Sequence, residues 1–355
     1  MQKITYILIS LSVLIITSCS TIVENVDFPY EERLVISSFI SPQDTLIEVK
    51  VAKTKPVTGT FSQNEGSYSF GELNIYKPLE GVLIEISDGQ KTVVVPYTEI
   101  TYPRQIGSTP QTQGQTEYAK RKGYFLNTKI FPILAGKTYN LSARFPNLPI
   151  ATASCTIPQR ALTSSDYQVV GGTKIDSVQQ GYGTNNGVVV SRYYNLMKPF
   201  TVLIKDFPSE ENFYSIAYFT RTEIQYKDFQ GNPNNPPITL TRLTVNQEPF
   251  SDFISDYKKD GSQLEFRKAR FSIGYYNTDI SQNKYNSITK SSILKIYIAV
   301  TDKAYYQYTK AVTKSEGING DDPFSEPVLT YTNVQGGLGV FAGFNTTEVT
   351  IDLLK

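Results

Sequence analysis

The sequence predicts a mainly β protein with two β-sandwich-like domains, the first immunoglobulin-like and the second with one helix inserted near the C-terminus. Three observations predict this class. The 355 residues include 25 tyrosines and 19 phenylalanines, and aromatic and β-branched residues favour pleated, half-buried surfaces. Short runs of these residues are separated by Gly, Pro and Asn, as between strands. Within several runs apolar and polar residues alternate, which indicates antiparallel sheets with one face in water.

The N-terminus has the pattern of a secretory signal. Lys3 precedes an apolar run from Ile7 to Ile16, which is too short for a comfortable membrane-spanning helix. This run leads into Thr17-Ser18-Cys19, and an aliphatic residue followed by two small residues and a cysteine resembles the bacterial lipobox. We therefore expect residues 1–18 to be removed, Cys19 to be lipidated and residues 19–30 to form a tether to the membrane. The alternative is a secreted protein in which this cysteine occurs by chance.

Residues 31–159 are predicted to form the immunoglobulin-like sandwich. Apolar and polar residues alternate at 47–51, 82–86 and 138–145, and a further strand is expected at 152–157. This number of strands suits a sandwich domain. We place the boundary to the second domain near Gln159.

Residues 160–355 are predicted to form the second β-rich domain. Its most regular strand lies at 293–301, where every second residue is apolar. A helix is predicted at 302–314, because an acidic residue at its start, late lysines and a following glycine are helix start and stop signals. Two polar stretches without apolar periodicity, 103–117 and 171–187, are predicted to be exposed loops.

Composition argues against several functions. The 34 basic and 33 acidic residues give a net charge of +1, so we expect no nucleic-acid partner. The sequence has no histidine, which removes the usual general base and the commonest zinc ligand. We therefore expect no enzymatic activity, no catalytic residues and no cofactor. Once Cys19 is lipidated, Cys155 has no disulfide partner, and we interpret it as a small apolar residue within a strand.

Metal sites are only weakly indicated. Asn319, Asp321 and Asp322 offer hard oxygen ligands for calcium, but calcium needs six to eight of them, and this segment is equally a solvated turn. We favour the turn and predict no metal site. Asp256 and Asp260 resemble a fragment of a calcium loop, but the final glutamate is missing and neighbouring lysines oppose cation binding.

Two further patterns have structural and functional interpretations. The glycine-rich segment 336–343 lacks the Lys-Ser/Thr ending of a phosphate-binding loop. It instead predicts tight turns or a close backbone approach, with Leu338, Val340, Phe341 and Phe344 packed beneath. The adjacent tyrosines are candidates for an exposed binding surface, although many tyrosines of a β-rich protein belong to its core; they lie at 193–194, 275–276, 305–306 and 308.

The order of several segments resembles one family. The C-terminal third reads SSILKIYIAVTD, AYYQYTKAV, DDPFSEPVLTYTNVQGG and LGVFAGF, and upstream lie RLVISSFIS, GVLIEISDG and AGKTYNLSARFPN. In this order they resemble a family of Bacteroidota envelope lipoproteins described only as domain of unknown function 4249. The resemblance implies an exported, outer-membrane-associated protein that is often linked to TonB-dependent receptors of the starch-utilisation type. It implies no reaction and no catalytic residues.

These observations together lead to one functional expectation. We expect a non-enzymatic accessory or ligand-binding lipoprotein, anchored in the outer membrane through Cys19 and acting beside a TonB-dependent transporter or other outer-membrane machine. Glu24 and Asp27 follow the anchor closely and loosely match export signals, so display on the cell surface is our hypothesis. A lipid anchor raises the effective concentration of the protein at membrane partners.

Two alternatives from other classes remain open. One is a structural or adhesion protein of the cell surface, for which sandwich domains would serve equally well. The other, less favoured, is a hydrolase that uses two carboxylates, which would need a pocket holding two acids about 5 to 9.5 Å apart.

Overall fold

A computed structural model describes residues 31–54, 78–106, 115–171, 176–185, 188–229, 238–266, 269–279, 284–285, 287–316 and 331–355. Over these residues the protein is mainly β, with several sheets and one helix near the C-terminus, which confirms the predicted fold class. The described helix lacks the length and apolar character that crossing a membrane would require.

Eight strands build the first sandwich: β1 (Leu34–Ile40), β2 (Leu46–Lys53), β3 (Leu83–Ser87), β4 (Thr92–Val94), β5 (Tyr97–Ile106), β6 (Gln115–Asn127), β7 (Thr138–Arg144) and β8 (Ala151–Thr156). One sheet has the order β1-β2-β6-β5 and the other has the order β4-β3-β7-β8. These correspond to the A-B-E-D and C′-C-F-G sheets of immunoglobulin-like sandwiches.

The predicted alternation places the apolar side chains of these strands between the two sheets. Val49 from β2, Ile84 from β3 and Leu141 from β7 are at most 1% exposed and belong to one core cluster. Cys155 lies in the same core as predicted, and burial raises the pKa of its thiol well above the ordinary value. The thiol therefore stays protonated and acts as a small apolar group.

Tyr139 fixes the corner between β6 and β7. Its hydroxyl donates to the carbonyl oxygen of Pro132 at 3.2 Å and accepts from the backbone N–H of Leu134 at 2.7 Å. A tyrosine near the start of the F strand that bonds back to the preceding backbone is a hallmark of immunoglobulin-like sandwiches. The contact supports the immunoglobulin-like topology.

The second sandwich contains β9 (Tyr167–Gly171), β10 (Asp176–Asn185), β11 (Val188–Lys205), β12 (Phe213–Phe229), β13 (Ile238–Ser255), β14 (Gln263–Glu265), β15 (Ala269–Asp279), β16 (Lys284–Tyr285), β17 (Ser287–Thr301) and β18 (Leu338–Asp352). One sheet has the order β13-β12-β17-β18, and the other has the order β10-β11-β15-β16 with β9 and β14 also paired to β11. As the sequence predicts, alternate residues of β17 are buried: Leu294, Ile296 and Ile298 are 0% exposed.

The two loop predictions were partly wrong. Strand β5 continues to Ile106 and β6 begins at Gln115, while β10 occupies most of the second predicted loop. These segments pair with neighbouring strands, so backbone hydrogen bonds hold them in the sheets without an apolar face. Alternation of apolar residues cannot reveal such strands.

Strand β18 belongs to both sandwiches. Its residues 338–343 run parallel to β1, and its residues 344–352 pair antiparallel with β17. One eight-stranded sheet therefore runs through the whole molecule. The domain boundary predicted near Gln159 does not anticipate that β18 is shared by the two domains.

The parallel pairing requires glycine at position 339. Gly339 has a φ of 102°, and a Cβ atom there would lie 1.9 Å from the carbonyl oxygen of Ile36. This confirms the predicted close backbone approach. Val340 and Phe341 are buried as predicted, whereas Leu338 is 38% exposed, because in β18 it faces away from the core.

Helix α1 (Lys303–Glu316) confirms the predicted helix. Asp302 caps it: one carboxylate oxygen accepts from the N–H of Tyr305 at 2.7 Å, and the other accepts from the N–H of Gly343 in β18 at 2.9 Å. Tyr305 packs against Phe39 of β1 and Phe344 of β18, with ring centroids 4.9 and 5.6 Å apart. The helix thus covers the point where β18 passes from one sandwich to the other.

We expect Gly339→Ala to lower the free energy of unfolding by about 3 kcal/mol or more, because the methyl group collides with backbone in a left-handed conformation. Gly89→Ala is the matched control. Gly89 has a φ of 86° but no atom within 4 Å of an added Cβ, so only about 1 kcal/mol should be lost. Urea denaturation measures both values, and equal losses would contradict the role of the close approach.

Asp302 should make stability depend on pH. Burial raises its pKa to about 6 although backbone hydrogen bonds lower it, so the folded chain holds a proton that the unfolded chain releases at about pH 3.9. The resulting stabilisation is present below about pH 4 and is lost as pH rises through 6. Asp302→Asn cannot ionise, so its unfolding free energy should fall less between pH 4 and 7 than that of the native protein. Burial also raises the pKa of Asp44 to about 6, but Asp44 is present in both proteins and affects both equally. Equal slopes of unfolding free energy against pH in the two proteins would refute the expectation.

Candidate functional site

A groove of about 590 Å³ lies on the outer face of the β4-β3-β7-β8 sheet. We call it the polar groove because uncharged polar side chains dominate its lining. It is lined by Glu85, Ser87, Thr92, Asn140, Leu141, Ser142, Thr152, Ala153, Ser154, Asn333 and Gln335.

The strand register arranges the polar side chains in two rows across the sheet. In one row Asn140 pairs with Ser87 on one side and with Ser154 on the other. In the next row Ser142 lies between Glu85 and Thr152. Rows two residues apart along a strand are separated by about 7 Å. Each row exists because β7 and β8 place their apolar residues inward and their polar residues outward.

Residues 331–337 form one wall of the polar groove. The backbones of Thr152 and Gln335 donate to each other at 2.9 and 2.8 Å. The amide of Asn333 donates to the carbonyl of Phe341 at 2.8 Å, donates to that of Ser154 at 3.2 Å, and accepts from the N–H of Phe341 at 3.0 Å. These bonds fix the wall against both β8 and β18.

Five groove side chains make no hydrogen bond to any part of the described chain; they are Thr92, Asn140, Thr152, Ser154 and Gln335. All five are exposed. The groove therefore offers hydroxyl and amide groups that both donate and accept hydrogen bonds. Their backbones are fixed, so a ligand would meet partly preorganised partners.

The polar groove carries one titratable side chain, Glu85. Arg144 lies 3.3 Å from its carboxylate, and the hydroxyl of Ser142 donates to the same oxygen at 3.3 Å. The negative charge of Glu85 is thus balanced by the neighbouring guanidinium of Arg144. Acid–base catalysis generally uses groups whose pKa values are tuned to the reaction, and this lining does not bring two such groups together.

A second concavity, of about 670 Å³, lies between the sandwiches. Two ion pairs line it: Lys303 contacts Glu211 at 3.1 Å, and Arg160 lies 3.9 Å from Glu210. Asp302 also lines it, with its carboxylate bonded to backbone N–H groups. Arg160 also stacks 3.6 Å from the ring centroid of Phe207. These contacts join the segment after β8 to the loop before β12, which is a structural role.

Three aspartates from two parts of the sequence meet beside the second sandwich. Carboxylate oxygens of Asp206, Asp256 and Asp260 all lie within 4.8 Å of one another. Asp206 accepts from the hydroxyl of Tyr214 and the N–H of Gly261, each at 2.8 Å. Burial, and then the neighbouring carboxylates, raise the pKa of Asp256, although a backbone N–H lowers it. Backbone and hydroxyl donors explain the arrangement as a link between two loops.

The sequence-predicted site residues have different outcomes. Cys19, Asn319, Asp321 and Asp322 lie outside the described residues, so their predictions stay open. The acidic pair Asp256 and Asp260 is brought together, with Asp206 as the member that sequence spacing could not reveal. Tyr194 pairs with Tyr276 across β11 and β15, and Tyr305 is buried in the helix contact.

A comparison with protein families matches residues 23–350 to the model described as "Domain of unknown function (DUF4249)". The chain belongs to this family. The resemblance drawn from the order of its segments is therefore confirmed as far as family membership. No curated protein matches the chain. Since the family carries no assigned function, the site must be interpreted from its own chemistry.

We expect Asn333→Ala to lower the free energy of unfolding by about 1–3 kcal/mol, because it leaves the backbone N–H and carbonyl of Phe341 without their partners. Asn140→Ala is the matched control. Asn140 is exposed and makes no hydrogen bond within the described chain, so a change within about 0.5 kcal/mol is expected. Thermal and urea unfolding of both variants check this; an unaffected Asn333→Ala would show that the wall is not held by this amide.

Proposed function

We propose that this DUF4249 protein is a non-enzymatic accessory or ligand-binding lipoprotein of the outer membrane that acts beside a TonB-dependent transporter or another outer-membrane machine. The polar groove carries the ligand-binding part of the proposal. It combines a fixed backbone with uncharged side chains that lack partners within the described chain. Such a surface suits reversible binding.

The position of β1 determines how an anchor at Cys19 would orient the two sandwiches. Strand β1 starts at Leu34 and ends at Ile40, where its parallel neighbour β18 continues into the second sandwich. Seven residues of strand span about 20 Å. A tether of residues 19–30 would reach at most about 40 Å, and it would join the first sandwich at the end away from the second. The second sandwich would then project away from the membrane, within reach of a neighbouring receptor.

The groove chemistry supports binding rather than turnover. Glu85 is its one titratable group and is paired with Arg144. The carboxylates of Asp206 and Asp256 lie outside the groove lining and are buried among backbone donors. A two-carboxylate hydrolase needs both acids to face a substrate, so the binding function is favoured.

An affinity purification tests the anchor and the partner together. Tagged full-length protein is isolated from gently solubilised outer membranes, and we expect co-purification of a stoichiometric TonB-dependent receptor or other barrel. Cys19→Ala should leave the membrane fraction and lose the partner, since the acyl chains hold the protein at the bilayer.

Cys155→Ala is the matched control, because Cys155 is the other cysteine of the sequence and is buried in the first sandwich. It should retain both membrane association and partner. Recovery of membrane-bound native protein without any barrel would count against the accessory role and favour the adhesion alternative. Membrane retention of Cys19→Ala would count against the lipid anchor.

A further inference from the structure

We propose that the polar groove binds a neutral carbohydrate chain through the side chains of Thr92, Asn140, Thr152, Ser154 and Gln335. This inference deepens the ligand-binding part of the proposed function and rests on it. It assigns a ligand class to the groove from the type, spacing and charge of the side chains.

The two outer faces of the first sandwich differ in chemistry. On the outer face of β2 and β6, Arg121 donates two hydrogen bonds to Glu48, at 2.8 and 3.0 Å, and its guanidinium lies over the ring of Phe125. Long, paired charges of this kind are usual on a solvated sheet face. The opposite outer face also carries ion pairs, Glu85 with Arg144 and Asp88 with Lys137. Beside these pairs lie short neutral side chains such as Thr152 and Ser154, which make no hydrogen bond within the described chain.

The groove chemistry excludes several ligand classes. An anionic or cationic ligand would find no unpaired opposite charge, because Glu85 and Arg144 neutralise each other. An apolar ligand would cover the exposed hydroxyl and amide groups of the groove without replacing their hydrogen bonds to water, which is unfavourable. An extended peptide that adds to this sheet would pair along an edge strand such as β4, and would leave the polar rows across the face unused.

A neutral saccharide matches what remains. Its hydroxyl groups donate and accept hydrogen bonds, as do the hydroxyls of Thr152 and Ser154 and the amides of Asn140 and Gln335. The row that contains Asn140 crosses four strands, so it extends over roughly 15 Å at the usual strand spacing. That length accommodates a segment of a chain rather than a single sugar. Binding through hydrogen bonds without a stacked aromatic ring is expected to be weak.

Affinity electrophoresis tests the proposal with detergent-purified full-length protein. Native gels contain a soluble neutral α-glucan, β-glucan, galactomannan or arabinoxylan, or polygalacturonate as the acidic comparison. We expect retardation by at least one neutral polysaccharide and none by polygalacturonate. The variant Asn140→Ala/Thr152→Val/Ser154→Ala should weaken the apparent affinity at least tenfold, because it removes three hydrogen-bonding groups.

Thr138→Val is the matched control. Thr138 lies on the same outer face of β7, but its hydroxyl bonds that of Thr156 at 2.8 Å and it does not line the groove. Its variant should be retarded like the native protein. Thr152→Val alone, an isosteric change at an exposed strand position, provides a second test and should weaken binding severalfold if the triple variant folds poorly.

The possible results separate the two proposals. No retardation by any of the neutral polysaccharides, or retardation that the groove variants leave unchanged, overturns the carbohydrate assignment. Retardation by polygalacturonate alone also overturns it. The affinity purification does not depend on these gels, so a recovered transporter together with unretarded protein would keep the accessory role and remove the ligand class. If the purification recovers no partner but the gels show retardation that the groove variants weaken, the carbohydrate assignment stands and the accessory role is removed.

Discussion

The hydrogen bonding of β18 is the constraint on which both sandwiches depend. The strand changes partners near Gly343, from parallel pairing with β1 to antiparallel pairing with β17. Asp302 stabilises the position where β18 changes partners. Its backbone N–H donates to the carbonyl of Gly343 at 2.9 Å, and its carboxylate accepts a hydrogen bond from the N–H of the same residue. A shared strand with a capped helix across it resists bending more than a flexible linker would.

The same C-terminal segment also shapes the polar groove. Gln335 bridges to β8, and residues 338–343 cover the edge of β1. Both sheets of the first sandwich thereby lose an open edge, which otherwise invites pairing with other chains. The groove wall and the protected edges are thus formed by the same C-terminal segment, residues 331–343.

Local patterns predicted much of the fold but little of the site. Alternation identified β17, and the cap at Asp302 identified the helix, because each signal lies within one element. The polar stretches of β5 and β10 were missed, since their pairing needs no apolar face. The groove was also missed: Thr152 and Ser154 follow the expected outward pattern, but no sequence signal places Gln335 beside them. Long-range register, rather than propensity, decides such contacts.

The parallel pairing of β1 has a consequence for the order of folding. Val35 pairs with Leu338, so β1, the first of the described strands to be synthesised, can complete its pairing only when β18 near the end of the chain is available. Contacts between distant segments form slowly because closing a long loop costs entropy. Until β18 is available, the first sandwich lacks one strand of its sheet and one wall of its groove, and the edge of β1 is open to pairing with other chains. The topology therefore makes completion of the first sandwich depend on the synthesis of β18.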